Sequence, residues 1–294
     1  MFYLMKRIYF KDKGMQRKSQ FFKIVYPLIF LLICFYTLFS GCASSKLKKV
    51  EENYEQGFYD DVIHSKVDCS DSSPKCFKIK LIKADSYYQL NDISRALLYA
   101  DEAVDRVSNR ISMKDINKLY VLRVRLLSQK LLLIDDRAER IEVSQKLESD
   151  IIIAFQTNER LSALDSYNQQ REQLLFLWAE VLLEKMGWVS SGSLKDTYQD
   201  FIDVVHKFDE SLSKNRYKQY YLWRGEFKYL QPEIKKWLFV GDMTGEREKI
   251  IERLKDLYRQ GITLRNSPVY LTTEGRKIDQ LINAIDGYMK QMVI

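Results

Sequence analysis

From residue 46 onward the apolar positions recur with a helical period. Phe77, Leu81, Ala84 and Tyr88 are spaced i, i+4, i+7 and i+11, which places them on one helix face. Ile93, Ala96, Leu97, Ala100, Ala103, Val104 and Val107 follow with the same period. Leu90-Asn91-Asp92 separates the two runs, with Asp92 as the expected N-cap, so the pair predicts a helical hairpin. A third pair turns at Ile134-Asp135-Asp136, with Ala138 matching Ala96 at an offset of 42. Leu174 to Leu183, LLFLWAEVLL, is apolar almost all round. Ten residues cannot span a bilayer, and the run predicts a central buried helix. Gly187 and Ser190-Ser191-Gly192-Ser193 predict a break, and Asp196 to Phe208 a helix with Tyr198, Phe201, Ile202, Val205 and Phe208 on one side. Further helices are predicted over 214–230, 232–239, 245–260 and 274–292, separated by Pro232, Gly241-Asp242 and Asn266-Ser267-Pro268. The fold class is all-α.

The first hairpins repeat. Tyr54, Gly57, Tyr59, Val62 and Ile63 align with Tyr88, Asn91, Ile93, Ala96 and Leu97 at an offset of 34. This period resembles that of tetratricopeptide repeats, and the segment 77–110 resembles one such repeat, with Tyr87, Ala96 and Ala103 at the family's aromatic and small-residue positions. It departs from the family pattern in Lys80, where Trp is typical, and Lys83, where Leu is typical. The resemblance implies a right-handed α-solenoid over residues 42–156, continued over 157–294 by a less regular helical part. An irregular helical bundle is the alternative.

The N-terminus carries a different signal. Ile24 to Phe39 is a run of sixteen uncharged residues, preceded by a basic stretch and followed by Ser40-Gly41-Cys42. A basic leader, a short apolar run and small residues at its end predict an export signal over 1–41, with Met15 as a candidate true start. Leu38-Phe39-Ser40-Gly41-Cys42 resembles a bacterial lipobox, with Phe39 where Leu is usual. The resemblance implies cleavage before Cys42, acylation of its thiol (palmitate among the chains) and a membrane-anchored lipoprotein. Because Ala43 and not Asp follows Cys42, it further implies the outer membrane, facing the periplasm. An uncleaved signal anchor is the alternative, and it too places the rest of the chain outside the cytoplasmic membrane. In such a compartment Cys69 and Cys76, which enclose the polar Ser-Asp-Ser-Ser-Pro-Lys, are expected to pair as a disulfide, with free thiols the alternative.

Composition narrows function further. Hydrophobic residues make up 46% and there are only 11 Gly and 4 Pro, which excludes a disordered or collagen-like chain. The net charge of +7 resides mostly in residues 1–41, whose net is +6, so it does not indicate nucleic-acid binding. Beyond the leader the charge is split: −5 over 42–213, +5 over 214–240 and +1 over 241–294. The basic segment interleaves Lys214, Arg216, Lys218, Arg224, Lys228, Lys235 and Lys236 with Tyr217, Tyr220, Tyr221, Trp223, Phe227, Tyr229, Trp237 and Phe239.

No phosphate loop, metalloprotease helix, nucleophile elbow or Cys/His cluster is present, and His64 and His206 lie far apart. The chain therefore reads as a non-enzyme without metal or cofactor. The expected function is an envelope scaffold or adaptor that binds other envelope proteins, with a ligand-binding lipoprotein serving a transporter as the alternative. Lys218, Arg224, Lys228 and Lys236 are the candidate partner-binding residues, expected to be exposed. Tyr220, Trp223, Phe227 and Leu230 are expected to form a helical core stripe, with a role in partner contact the alternative. Cys42→Ala is expected to abolish metabolic labelling of the chain by a fatty acid; labelling that persists in the variant contradicts the assignment.

Overall fold

The computed structural model describes residues 47–67, 69, 71, 73–161, 165–210, 217–241, 246–267 and 273–293. The leader, Cys42, Lys214 and Arg216 lie outside the described residues. All regular structure among the described residues is helical. Two compact units are distinguished, one ending at Asp71 and one beginning at Ser72. The first holds helical residues 47–55 (α1) and α2 (Tyr59–Ile63), with Val50 and Val62 buried. Cys69 and Cys76 are both disulfide-bonded.

One turn is built twice, 34 residues apart in the sequence. Gly57 N–H donates to the Tyr54 carbonyl and Phe58 N–H to that of Asn53, at 3.0 and 2.8 Å. Asn91 N–H donates to the Tyr88 carbonyl and Asp92 N–H to that of Tyr87, each at 2.9 Å. Gly57 and Asn91 both adopt a left-handed backbone, with φ of 80° and 61°. That conformation satisfies the last carbonyls of the preceding helix, and Asn tolerates it better than most residues with a Cβ. Val62 and Ala96, at matching places in the next helix, are both fully buried.

The second unit comprises α3 (Pro74–Gln89), α4 (Ile93–Val104), α5 (Met113–Leu132), α6 (Arg137–Arg160), α7 (Asp165–Lys185), α8 (Ser191–His206) with a 3-10 turn over Lys207–Glu210, α9 (Lys218–Val240), α10 (Glu246–Arg265) and α11 (Thr273–Val293). The side chains of Ser73, Asp92, Ser112 and Asp136 each accept from the backbone N–H three residues on, satisfying helix starts as the sequence predicts for Asp92. Each helix packs on the next, and further contacts link α3 to α5, α7 to α9 and α9 to α11. Stacked hairpins produce this nearest-neighbour order. Ala96, Ala100 and Ala103 of α4 are fully buried, and such small side chains allow close approach to α3. Arg123 of α5 ties its neighbours together, pairing with Asp101 of α4 and, at 2.8 Å, with Asp150 of α6.

Three expectations are corrected. Ala138 does not take the place of Ala96: the first turn of α6 faces solvent and its buried stripe starts at Val143 and Leu147. The break near 190 is shorter than composition suggests, because α8 already begins at Ser191 with Gly192 in its first turn. Pro232 does not divide two helices: α9 is continuous from Lys218 to Val240. Leu230 and Ile234, four apart and both fully buried, carry the core stripe across the proline, which is itself exposed. Burial of that stripe offsets the lost backbone bond and the ring clash, which cost about 3 kcal/mol. One apolar core runs from Tyr120 to Met292, crossing both 156/157 and 187–194.

Two glycines set how closely α9 approaches its neighbours. A Cβ on Gly225 of α9 would lie 2.1 Å from Cε1 of Phe201 on α8. A Cβ on Gly261 of α10 would lie 2.7 Å from Cζ2 of Trp223, whose indole N–H donates to the Leu257 carbonyl at 2.8 Å. Both aromatic rings are buried. Gly225→Ala is therefore expected to lower stability by about 1–3 kcal/mol despite the gain in helix propensity, as measured by denaturant unfolding; a neutral or stabilising result contradicts this packing.

Candidate functional site: a groove along the odd-numbered helices

The basic and aromatic residues of α9 separate by helical period. Tyr220, Trp223, Phe227, Leu230 and Ile234 are buried. Arg224 and Lys228, each one position after a buried aromatic, lie half-buried beside that stripe. α7 packs against α9 and carries Glu180 and Glu184, also half-buried, one turn apart.

Arg224 grips Glu180 with two N–H···O bonds, Nη1 to Oε1 at 2.5 Å and Nη2 to Oε2 at 3.0 Å. Tyr221 donates its hydroxyl to Glu180 Oε1 at 2.9 Å. The guanidinium also lies 5.1 Å from the Tyr220 ring centroid and 5.4 Å from that of Tyr221. Burial opposes the charge on Glu180, but the Arg224 bonds and charge, with the Tyr221 hydroxyl, outweigh it and hold the carboxyl below the usual glutamate range. Burial, reinforced by Glu180, pushes the Tyr221 phenol far up, so it remains a donor. Arg140 of α6 donates Nε to Glu184 at 2.5 Å and Nη1 to the Leu131 carbonyl near the end of α5 at 3.0 Å.

Lys228 differs from these. It makes no hydrogen bond or ion pair among the described residues. Its ammonium lies against Gly187, where a Cβ would come within 3.2 Å of Nζ. Burial pushes its pKa below the ordinary lysine value; Lys235 and Arg224 push the same way and Glu184 opposes them.

Arg140, Glu180, Glu184, Arg224 and Lys228 line a groove of about 630 Å³. Its apolar walls are Leu131 and Leu132 of α5, Leu147 of α6, Leu177 and Val181 of α7, Phe227 of α9 and Leu281 of α11. Leu132 is 82% exposed and Leu133 beside it 77%. A second hollow of about 300 Å³ shares Ser128 and Leu177 with the groove and extends it to Tyr88 of α3. Taken together, the two adjoining hollows are lined by α3, α5, α7, α9 and α11, with α6 entering at Arg140 and Leu147.

Of the four candidate partner-binding residues, the groove unites Arg224 and Lys228. Lys236 is exposed and lines a separate hollow with Trp237 and Lys249. Lys218 is half-buried at the first residue of α9. The expected row of exposed charges is therefore corrected: only Lys236 of the four is exposed. α9 packs against α7, α8, α10 and α11, so positions beside its core stripe meet α7 and not open water. Sequence periodicity missed Glu180, Glu184 and Arg140. The available signal was Glu180 itself, the one charge inside the apolar run 174–183.

His64 and His206 are exposed, and His64 Nδ1 bonds the Asp60 carbonyl at 2.8 Å. Among the described residues no group of His, Cys, Asp and Glu could hold a metal ion, and no helix is long and apolar enough to cross a membrane. No protein-family model matches the chain, and no curated protein matches it.

The ion pair has a testable pH signature. The folded pKa of Glu180 lies below its unfolded value, so the unfolded chain binds more protons between the two. The stabilisation is fully present above the ordinary glutamate value and is lost as pH falls through the folded one. Arg224→Met is expected to cost about 1–2 kcal/mol at neutral pH, less than for a fully buried pair because the Glu180 side chain stays 40% exposed. Urea unfolding at neutral and acid pH should show that cost shrinking on acidification; a pH-independent cost contradicts the pairing energetics.

Proposed function

We propose that the protein is a lipid-anchored scaffold of the cell envelope. In this reading it is a right-handed solenoid of tetratricopeptide-like hairpins that holds a segment of another envelope protein along its odd-numbered helices. The lipobox-like Leu38 to Cys42 supports an anchor at Cys42, and Ala43 supports outer-membrane sorting. The 34-residue recurrence of one turn and the nearest-neighbour helix order support the repeat family and the solenoid.

The observation that carries the binding role is Lys228. Its ammonium is half-buried in the wall of the groove, and Glu184 offsets that partial burial incompletely, which leaves it able to meet a further carboxylate. The groove chemistry selects its occupant: a carboxylate to meet Lys228, flanked by apolar side chains to cover Leu132, Leu177 and Phe227. An acidic, apolar peptide segment has that character. The groove is partly open to solvent and not sealed, which supports a chain segment over an enclosed small ligand.

The sign of the Lys228 shift gives the test. Its folded pKa is depressed, so the unfolded chain binds more protons as pH rises through that window and stability rises with it. Lys228→Met removes both the alkaline gain and the desolvation cost. Its stability at neutral pH should be unchanged or up to about 1 kcal/mol higher. Partner capture by a photoreactive residue at position 132 of the full chain should fall about tenfold. A destabilised variant with unchanged capture contradicts the reading.

A further inference from the structure

The end of α9 presents a feature that the groove does not use. Leu238, Phe239 and Val240 are 36%, 89% and 59% exposed, and the helix stops at Gly241, whose φ is 84°. Consecutive helical residues project about 100° apart, so these three side chains cover more than half the circumference of the helix end. A single flat protein face cannot bury all three, whereas fluid hydrocarbon can. Trp237, half-buried, sits one position earlier, with Arg247 5.5 Å from its ring centroid.

The charges behind the tip complete the pattern. Lys235 and Lys236 are exposed, and Lys236 lines a hollow of about 510 Å³ with Trp237, Val240, Lys249 and Glu246, whose exposed carboxylate offsets one of these basic charges. Glu233, on the same hollow, is engaged by Arg253 at 3.6 Å. From Lys235 to Val240 the helix rises about 7.5 Å, which matches the shallow depth of interfacial insertion, about 5–10 Å. Lysine stems can follow apolar surface and leave the ammonium among headgroups, and Trp favours that boundary.

We infer that the C-terminal end of α9 is a membrane-inserting tip: Leu238, Phe239 and Val240 enter the acyl region of an anionic bilayer, while Lys235, Lys236 and Lys249 meet its phosphate headgroups. The tip stands on its own residues and does not depend on acylation of Cys42 or on the groove's occupant. It would fix the protein's orientation on the membrane, which a flexible anchor alone does not.

The full chain, leader included, is reconstituted into vesicles of phosphatidylethanolamine and phosphatidylglycerol with brominated acyl chains, and tryptophan quenching is read against unbrominated vesicles. The quenched component is expected to belong to Trp237 and to disappear in Trp237→Phe, which keeps an aromatic ring beside Arg247. Phe239→Ser with Val240→Ser should reduce that component about tenfold, because two apolar side chains leave the hydrocarbon. Circular dichroism and melting should be unchanged, since both side chains are exposed. Replacing phosphatidylglycerol by phosphatidylcholine should weaken quenching, as expected for basic residues near an anionic surface. Equal quenching of wild type and Trp237→Phe, or no quenching of either, overturns the inference. So does a photoreactive residue at position 239 that crosslinks in the native envelope to protein and not to lipid.

Discussion

The close approach of α9 to α8 and α10 is the constraint on which the rest of the second unit depends. Phe201 occupies the space a Cβ would need at Gly225, and Trp223 and Ile282 do the same at Gly261. These contacts let the buried aromatic stripe of α9 fill the core between three neighbouring helices. They also fix the rotation of α9 about its own axis. With Trp223 and Phe227 facing the core, Arg224 and Lys228 have to face α7. The groove is thus a consequence of core packing, and its charges are positioned by residues that never touch it.

That placement puts five charges of different standing in one small volume. Glu180 and Arg224 satisfy each other with matched geometry, and Tyr221 takes up further acceptor capacity on the carboxylate. Glu184 is satisfied by Arg140, which also holds the end of α5. Lys228 differs in kind: it makes no hydrogen bond or close ion pair among the described residues, and the charge of Glu184 offsets its partial burial only in part. This ammonium, only partly offset by Glu184, and the exposed Leu132 on the same groove are the two features on which the proposed binding role rests.

Helix periodicity in the sequence carried most of the architecture. The first hairpins were legible because Tyr54/Tyr88 and Gly57/Asn91 repeat both side-chain burial and a left-handed turn. The continuous α9 was not, because Pro232 is a strong local breaker and its neutralisation by Leu230 and Ile234 is a tertiary effect. The site was half legible. Basic residues on α9 were visible as a charge excess, but which of them would be exposed depended on α7 lying alongside, and residues 44 positions apart, such as Arg224 and Glu180, have no pairing signal in one sequence. Ala138 misled for a related reason: an equivalent sequence position on a longer hairpin need not reach the core.

The central claim is that the charge of Lys228, only partly offset by Glu184, receives an incoming carboxylate. A site-resolved NMR titration of the Lys228 side chain, in the full chain alone and with an acidic, apolar peptide, tests it most directly. The account predicts a value below ordinary lysine in the free protein that rises when the peptide binds. An ordinary or elevated value in the free protein, unmoved by any carboxylate-bearing peptide, would contradict it.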